Sequence, residues 1–159
     1  MQYDRKITIS AGSNRRAMTW QAQTMLISEL WARLQAPARG TETLAAYLNM
    51  KKAQQDDLKD VGGFMAGTLS GPRRKANNVT GRDVITLDLD NIPSGGTEDV
   101  LRRVEALGCG YCIYSTRKHS PAAPRLRVLL PTDRTMTADE YEPCARKMAE
   151  YIGDRKSTR

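Results

Sequence analysis

The chain has 159 residues, of which 40% are hydrophobic and 27% charged, and its formal net charge is +7. This length and apolar content favour one compact domain, expected over residues 1–153, and argue against two independent cores. The cationic excess is spread along the chain and predicts a polyanionic partner, although modest basicity also aids solubility.

Composition also restricts the cellular compartment. No stretch approaches the roughly 20 apolar residues that a membrane helix needs, and residues 1–10 lack the apolar core of a secretory signal. The three cysteines are an odd number and do not make a disulfide framework, which fits a reducing compartment. We therefore expect a cytoplasmic protein with free thiols.

The first 80 residues predict an N-terminal α+β portion. Polar and apolar residues alternate over 5–10, as in a half-buried strand, and turn-forming residues follow at 11–14. From Ile27 to Leu34 apolar residues recur at helical spacing, which predicts a helix whose apolar face belongs to the core.

The next segment, 41–59, predicts more helix at the surface, with Thr41 as a possible N-cap. Two tryptophans precede it, Trp20 and Trp31. They are candidates for stacking on nucleic-acid bases, but their spacing is helical and favours a place in the core.

Glycine then dominates, at positions 62, 63 and 67, and predicts a turn-rich region. A basic loop follows, whose cations are Arg73, Arg74 and Lys75. Glycine permits close approach to a phosphate backbone and the cations neutralise it, so these residues are candidates for nucleic-acid binding. A flexible surface loop is the alternative.

The second half shows stronger periodicity. It predicts, in chain order, a strand, a helix, two strands and a helix, over residues 83–90, 97–107, 111–115, 125–130 and 137–152. Gly108 stands where a helix-ending glycine is expected, and Thr137 with Glu140 forms a capping box. This order predicts an α+β sandwich with helices on one face of the sheet and the other face open for ligand.

Two acidic residues share one face of the first of these strands. Side chains alternate across a sheet, so Asp88 and Asp90 point the same way while Leu87 and Leu89 point the other way. The two Cα atoms stand about 7 Å apart, and the carboxylates can converge on divalent ions such as Mg²⁺ or Mn²⁺. The alternative is a strand that ends in solvent with two ordinary acidic residues.

Basic residues follow on the next strands. The segment Ser115–His119 contains the only histidine of the chain, and Arg125 and Arg127 share one face of the strand after it. Arginine binds phosphate through two parallel hydrogen bonds, and histidine beside phosphate is reasonable chemistry. Solvent-facing loop and strand residues are the alternative.

An acidic pair, a Ser-x-x-x-His segment and a basic strand in this order resemble the archaeo-eukaryotic primase superfamily. With the segments 59–64 and 125–131 added, nearly the whole chain resembles the N-terminal part of phage primase–helicase proteins related to virulence-associated protein E. The resemblance implies an RRM-like catalytic fold that joins nucleotides on a single-stranded DNA template. It also implies that Asp88 and Asp90 bind metal. The residues it places near the incoming nucleoside triphosphate are Ser115, Arg117, His119, Arg125 and Arg127.

The superfamily also uses a third acidic residue on a later strand. The remaining acidic residues before the C-terminal segment are Asp133, Asp139, Glu140, Glu142 and Glu150, and none is expected in a strand. The final hexapeptide, 154–159, is what the stem of a common sequencing adapter encodes in one reading frame. We therefore expect residues 154–159 to be a non-native tail and the catalytic domain to be incomplete at its C-terminus.

Together these features predict a DNA primase or primase-polymerase of a phage or mobile element, in which His119 is a third catalytic candidate beside the acidic pair. A helicase domain or protein of the same replication module is an expected partner. Three alternatives stay open. One is a zinc site of Cys109, Cys112, His119 and Cys144. The others are a non-catalytic RRM-like nucleic-acid-binding module and a rolling-circle endonuclease, for which a second histidine is missing.

Overall fold

The computed structural model describes residues 3–153, and their contacts form two compact units whose boundary lies between Asp83 and Val84. This boundary is close to position 80, where the sequence patterns divide. The prediction of one domain over 1–153 stays a prediction, and the predicted non-native tail, 154–159, lies outside the described residues.

The first unit contains a three-stranded sheet in which β1 (Lys6–Gly12) lies between β2 (Gln21–Leu26) and β3 (Gly63–Met65), with antiparallel pairing on both sides. Ile7 and Ile9 point into the core of this unit, as the alternation predicted. β1 is longer than expected, because Ala11 and Gly12 pair with β2 or β3 instead of forming a turn.

Three helices follow β2 in the first unit: α1 (Ile27–Leu34), α2 (Leu44–Asn49) and α3 (Lys52–Leu58). The buried side chains of α1 are Ile27 and Leu30, which confirms the predicted apolar face.

The expected helical stretch over 41–59 is confirmed and most of its residues are exposed, but Thr41 is not the N-cap. The segment forms two helices, and the N-cap is Thr43, whose hydroxyl accepts a hydrogen bond from the Ala46 N–H at 3.2 Å. Tyr47 is 2% exposed, and its hydroxyl donates to the Gln55 carbonyl at 3.1 Å. This buried tyrosine, which bridges α2 and α3, is an exception in a mostly exposed segment.

The turn-rich region contains two short strands that the sequence did not predict, β3 and β4 (Gly67–Leu69). β4 pairs with the beginning of β5 (Val79–Leu89), which passes from the first unit into the second. A Cβ atom at Gly67 would stand 2.0 Å from the Gly81 carbonyl oxygen, so only glycine permits this close approach of two backbones. A 3₁₀ turn, Ala76–Asn78, precedes β5.

The second unit contains the rest of β5, then α4 (Thr97–Glu105), β6 (Cys112–Ser115), β7 (Leu126–Met136) and α5 (Ala138–Ile152). β7 lies between β5 and β6 and pairs with β6 in antiparallel register. The order β-α-β-β-α follows the first five elements of the β-α-β-β-α-β pattern. This confirms the predicted α+β, RRM-like fold.

Both helices of this unit pack on one face of its sheet, as predicted. Leu87 and Leu89 of β5 and Val128 of β7 form one buried cluster with Val104 of α4 and Ile152 of α5. The opposite face is open only in part. Val84 and Leu129 lie on that face by alternation and are fully buried, whereas Asp88 and Asp90 on the same face are exposed.

The ends of the helices follow the sequence closely. The Thr137 hydroxyl accepts from the Glu140 N–H, and the Glu140 carboxylate accepts from the Thr137 N–H at 2.9 Å, which confirms the capping box. Gly108 has φ +66°, the left-handed region that favours glycine, although it lies two residues beyond the C-cap Ala106. Within residues 3–153, no helix has the length and apolar content to span a bilayer.

Candidate functional site

The acidic pair lies at the end of β5, on the face opposite the helices. Leu87 and Leu89 are buried, whereas the side chains of Asp88 and Asp90 are each 54% exposed. Asp90 is the first residue after the strand. The predicted alternation is therefore confirmed, and both carboxylates are accessible to a ligand from solvent.

Each carboxylate is paired with one of the two arginines predicted on the neighbouring basic strand. Arg127 Nε donates to Asp88 Oδ1 at 2.5 Å, and Arg125 Nη1 lies 3.0 Å from Asp90 Oδ1. The partners run in opposite order along the two strands, as neighbours in an antiparallel sheet do. We call these four residues the acid–arginine cluster.

A tyrosine that the sequence analysis did not assign completes one side of the acid–arginine cluster. Tyr114 of β6 is the register partner of Arg127, and its hydroxyl lies 3.4 Å from Arg127 Nη1. The guanidinium carbon of Arg127 is also 5.9 Å from the centre of the tyrosine ring, within the range of a cation–π contact. Alternation along 111–115 places Tyr114 and Ile113 on opposite faces, and this was the one sequence signal that could have identified the tyrosine.

The charge of Arg127 is held by these contacts. Burial of the guanidinium works against its charged form, but the hydrogen bonds with Asp88 and Tyr114 prevail and raise the pKa of Arg127 above its ordinary value. The side chain therefore remains a cation under all ordinary conditions and is suited to an anionic ligand.

His119 is tied to the same strand through the backbone of Arg125. The Arg125 N–H donates to His119 Nδ1 at 3.1 Å, and the Thr116 N–H donates to the Arg125 carbonyl at 3.0 Å. The Arg125 carbonyl oxygen also lies 3.3 Å from the same His119 nitrogen, so Nδ1 faces both backbone polar groups of Arg125. These contacts hold the His119 ring beside Arg125, whose side chain pairs with Asp90.

Two further predicted residues lie in the same region. Ser115 ends β6, where its register partner is Leu126, and Arg117 lies in the loop that leads to His119. Their predicted contacts with a nucleotide stay predictions.

The acidic residues do not form a three-carboxylate site in the described part of the chain. Among residues 3–153, no group of three or more His, Cys, Asp and Glu side chains is arranged to bind a metal ion. The expectation that no remaining acidic residue lies in a strand is wrong for Asp133, because β7 extends to Met136. Asp133 is nevertheless six residues from Arg127, roughly 20 Å along the strand, and cannot converge with Asp88.

The absence of a metal-binding group within residues 3–153 also counts against the alternative zinc site, because its four proposed ligands are among the side chains searched. Cys109 and Cys144 are exposed, and all three cysteines are free thiols, as expected. Cys112 is half-buried, and burial raises the pKa of its thiol, as in unreactive cysteines.

The predicted nucleic-acid-binding residues, Arg73, Arg74 and Lys75, lie in the first unit, in the loop before the 3₁₀ turn. The guanidinium carbon of Arg74 lies 5.4 Å from the centre of the Trp20 ring. Trp20 is 9% exposed, which confirms its place in the core. It precedes β2 and does not belong to a helix, because its segment forms a loop.

Fold and site together define an RRM-like α+β protein with an exposed acid–arginine cluster on one sheet face. Comparison with protein families specifies this further: the model of the VapE N-terminal domain matches residues 1–156. The chain therefore belongs to the VapE N-terminal domain family and is related to phage primase–helicase proteins. Searches of curated proteins and of solved structures found no match.

Proposed function

We propose that this chain carries the catalytic site of a metal-dependent primase or primase-polymerase, which joins nucleotides on a single-stranded DNA template. The observation that carries the proposal is the acid–arginine cluster: two exposed carboxylates are paired with two arginines across neighbouring strands, beside a histidine that is held by the Arg125 backbone. The proposal includes a cytoplasmic location, where such a template would be met.

The residues present fit a divalent metal. Asp88 and Asp90 offer oxygen ligands on one sheet face, and both side chains are half exposed. Mg²⁺ in nucleotide sites is held by one or two carboxylates, with water and substrate phosphates as its other ligands. A pair of carboxylates is therefore a sufficient protein contribution for Mg²⁺ or Mn²⁺. Such an ion would activate the attacking hydroxyl and stabilise the leaving pyrophosphate.

The arginines have two successive roles in this proposal. In the free protein they neutralise Asp88 and Asp90, which would otherwise repel each other. With a metal and a nucleoside triphosphate bound, Asp88 and Asp90 would hold the metal, and their arginine partners would exchange the carboxylates for phosphate oxygens. Arg125 and Arg127 would then bind phosphate oxygens through paired hydrogen bonds, which orient the triphosphate.

His119 would contribute a hydrogen bond to the triphosphate. Its Nδ1 faces the N–H and the carbonyl of Arg125, so Nε2 is the ring nitrogen left for a phosphate oxygen. Because the same backbone group orients the ring and belongs to a phosphate-binding arginine, the histidine and the arginine are positioned together.

A non-catalytic nucleic-acid-binding module is the second candidate. The observation in its favour is Tyr114, an aromatic side chain on the sheet face, where RRM proteins stack bases. This candidate predicts binding of single-stranded nucleic acid without any requirement for Asp88, Asp90 or a divalent ion.

The decisive experiment is metal-dependent dinucleotide synthesis on single-stranded DNA, by this chain or by a longer protein that contains it. Asp88→Asn and Asp90→Asn are expected to abolish synthesis, because each removes a charged metal ligand without a change of size. The matched control is Asp133→Asn, which removes an exposed carboxylate from the same sheet far from the cluster. Synthesis that persists in the Asp88 and Asp90 variants would remove the proposed mechanism.

Nucleotide binding supplies a second test that does not depend on turnover. We expect the 159-residue chain to bind a nucleoside triphosphate in the presence of Mg²⁺ or Mn²⁺ and to lose this binding in EDTA. Identical titrations with and without EDTA would contradict a metal-assisted site and favour the binding module.

A further inference from the structure

Two loops of the first unit, residues 15–20 and 71–75, are joined by direct contacts. The Trp20 N–H donates to the Pro72 carbonyl at 2.6 Å, and the Arg73 guanidinium contacts the sulfur of Met18. Arg74 lies over the Trp20 ring. The two loops line an open groove of about 380 Å³, which is therefore built from segments more than 50 residues apart in sequence.

The groove is strongly cationic, and most of its charge is not neutralised. Among the residues of the described range 3–153, no carboxylate forms an ion pair with Arg16, Arg73, Arg74 or Lys75. Arg15, at the groove edge, differs from them.

Arg15 faces three carboxylates of the first unit, those of Asp56, Asp57 and Asp60, at 3.5, 3.5 and 3.7 Å. Its charge is thus compensated from within the unit. The four other cations have no such compensation, and a groove with four uncompensated cations attracts anions.

Neutral partners hold the two central arginines in place. The Trp20 indole is itself immobilised: it is 9% exposed, and a Cβ atom on Gly12 would come within 2.6 Å of its Cε2 atom. A cation–π contact orients a guanidinium without cancelling its charge, and the thioether of Met18 is likewise uncharged. Arg73 and Arg74 are therefore positioned, yet remain fully charged.

We infer that this two-loop groove binds the phosphate backbone of a single-stranded nucleic acid, with Arg73 and Arg74 as its central contacts. Its volume lies at the lower end of the range for small-ligand pockets, about 300–1,000 Å³, which suits single nucleotide units and not the width of a duplex. Unpaired bases also offer planes on which a guanidinium can stack.

The inference deepens the proposed function, because it names a surface for the template strand, but it rests on contacts of the first unit alone. It adds Arg16, Met18 and Trp20 to the predicted basic residues Arg73, Arg74 and Lys75. Charge positioned by an indole and a thioether is the feature that distinguishes this loop from an ordinary solvated one.

The test is fluorescence anisotropy of a labelled oligothymidine with the 159-residue chain, in EDTA and over a range of salt concentrations. The double variant Arg73→Gln/Arg74→Gln is expected to bind at least about tenfold more weakly and to reduce the slope of log K against log salt by about 1.4, since each phosphate contact contributes about 0.7. The matched control Arg33→Gln/Arg39→Gln has the same change of net charge in the same unit and should bind like the parent chain.

A second variant tests the role of the indole. Arg74→Lys retains the charge but loses the planar guanidinium, so we expect about two- to fivefold weaker binding with an unchanged salt slope. Circular dichroism of every variant confirms that the chain is folded.

Three results would overturn the inference. The first is an equal loss of oligothymidine affinity in Arg73→Gln/Arg74→Gln and in the control Arg33→Gln/Arg39→Gln. The others are unchanged affinity in both of these variants and equal affinity of the parent chain for a duplex of the same length. Asp88→Asn/Asp90→Asn should retain oligothymidine binding in EDTA, which separates this inference from the proposed catalytic function. If that variant loses dinucleotide synthesis but retains oligothymidine binding, the catalytic proposal and the groove inference are both supported. If it retains synthesis, only the catalytic proposal is contradicted.

Discussion

The two candidate sites of this chain, one in each unit, position their arginine side chains in opposite ways. In the second unit, Arg125 and Arg127 are paired with Asp90 and Asp88. In the first unit, Arg74 lies over an indole and Arg73 against a thioether. A carboxylate cancels the charge of its partner until a ligand displaces it, whereas an uncharged partner leaves that charge in place. One arrangement suits a site that exchanges partners, and the other suits continuous attraction of a polyanion.

The largest expected effect is on stability and concerns the ion pair between Arg5 and Asp83, whose role is structural. The Asp83 side chain is 4% exposed and accepts hydrogen bonds from Arg5 Nη2 at 2.9 Å and from the Thr8 N–H at 2.8 Å. Asp83→Ala removes the buried carboxylate that accepts both of these hydrogen bonds and is expected to lower the free energy of unfolding by about 3–5 kcal/mol. Asp88→Ala should cost less than about 1 kcal/mol, because its pair is half exposed. Urea unfolding of both variants measures the difference, and equal losses would contradict the distinction between structural and exchangeable pairs.

A smaller but more specific effect is expected when the Asp88–Arg127 pair is reversed. The double variant Asp88→Arg/Arg127→Asp retains an ion pair at the same place, so stability should change by less than about 1 kcal/mol. Metal-dependent nucleotide binding should nevertheless weaken on the order of 100-fold, because the carboxylate no longer stands beside Asp90 on β5. Calorimetric titration with Mg²⁺ and a nucleoside triphosphate tests this. Full retention of binding would mean that net charge alone matters, and the proposed exchange of partners would be wrong.

The smallest effect concerns an arginine pair without any proposed ligand. Arg134 donates to both carboxylate oxygens of Glu140, and these bonds, with the bond from the Thr137 N–H, lower the pKa of Glu140 to about 2. The pair therefore stabilises the folded chain above the ordinary pKa of 4.5, and this contribution is lost as pH falls towards 2.

Thermal unfolding of the parent chain and of Glu140→Gln as a function of pH measures this contribution. The parent should have the higher Tm near neutral pH, and the difference should shrink between pH 4.5 and pH 2 while nucleotide binding at neutral pH is unchanged. A difference in Tm that is constant over this pH range would contradict the assignment.

Sequence periodicity predicted the second unit well and the first unit less well. The elements of the second unit are long or strongly patterned, and all five begin within four residues of their expected places, although β7 ends six residues later than expected. In the first unit, β2 is mostly exposed and does not alternate clearly, while β3 and β4 have three residues each. These strands form because distant segments of the chain pair with them, and a local sequence pattern does not reveal which segments pair.

The candidate site shows the same division. Alternation along single strands placed Asp88 with Asp90 and Arg125 with Arg127, but it did not reveal that each acid is paired with an arginine. Tyr114 was missed for the same reason, because its contact with Arg127 depends on the register between β6 and β7. Asp133 was misplaced because β7 continues to Met136, beyond its expected end at residue 130.

The sequence by itself determined which side chains share a face, because the twofold alternation of a strand is a property of the local backbone. It also determined the capping box of α5, whose residues are three apart. Only the tertiary structure decided the partners: the arginines beside Asp88 and Asp90, and the indole beneath Arg74. Those pairings join residues 35 or more positions apart, and their geometry follows from strand register and loop packing, which depend on the whole unit.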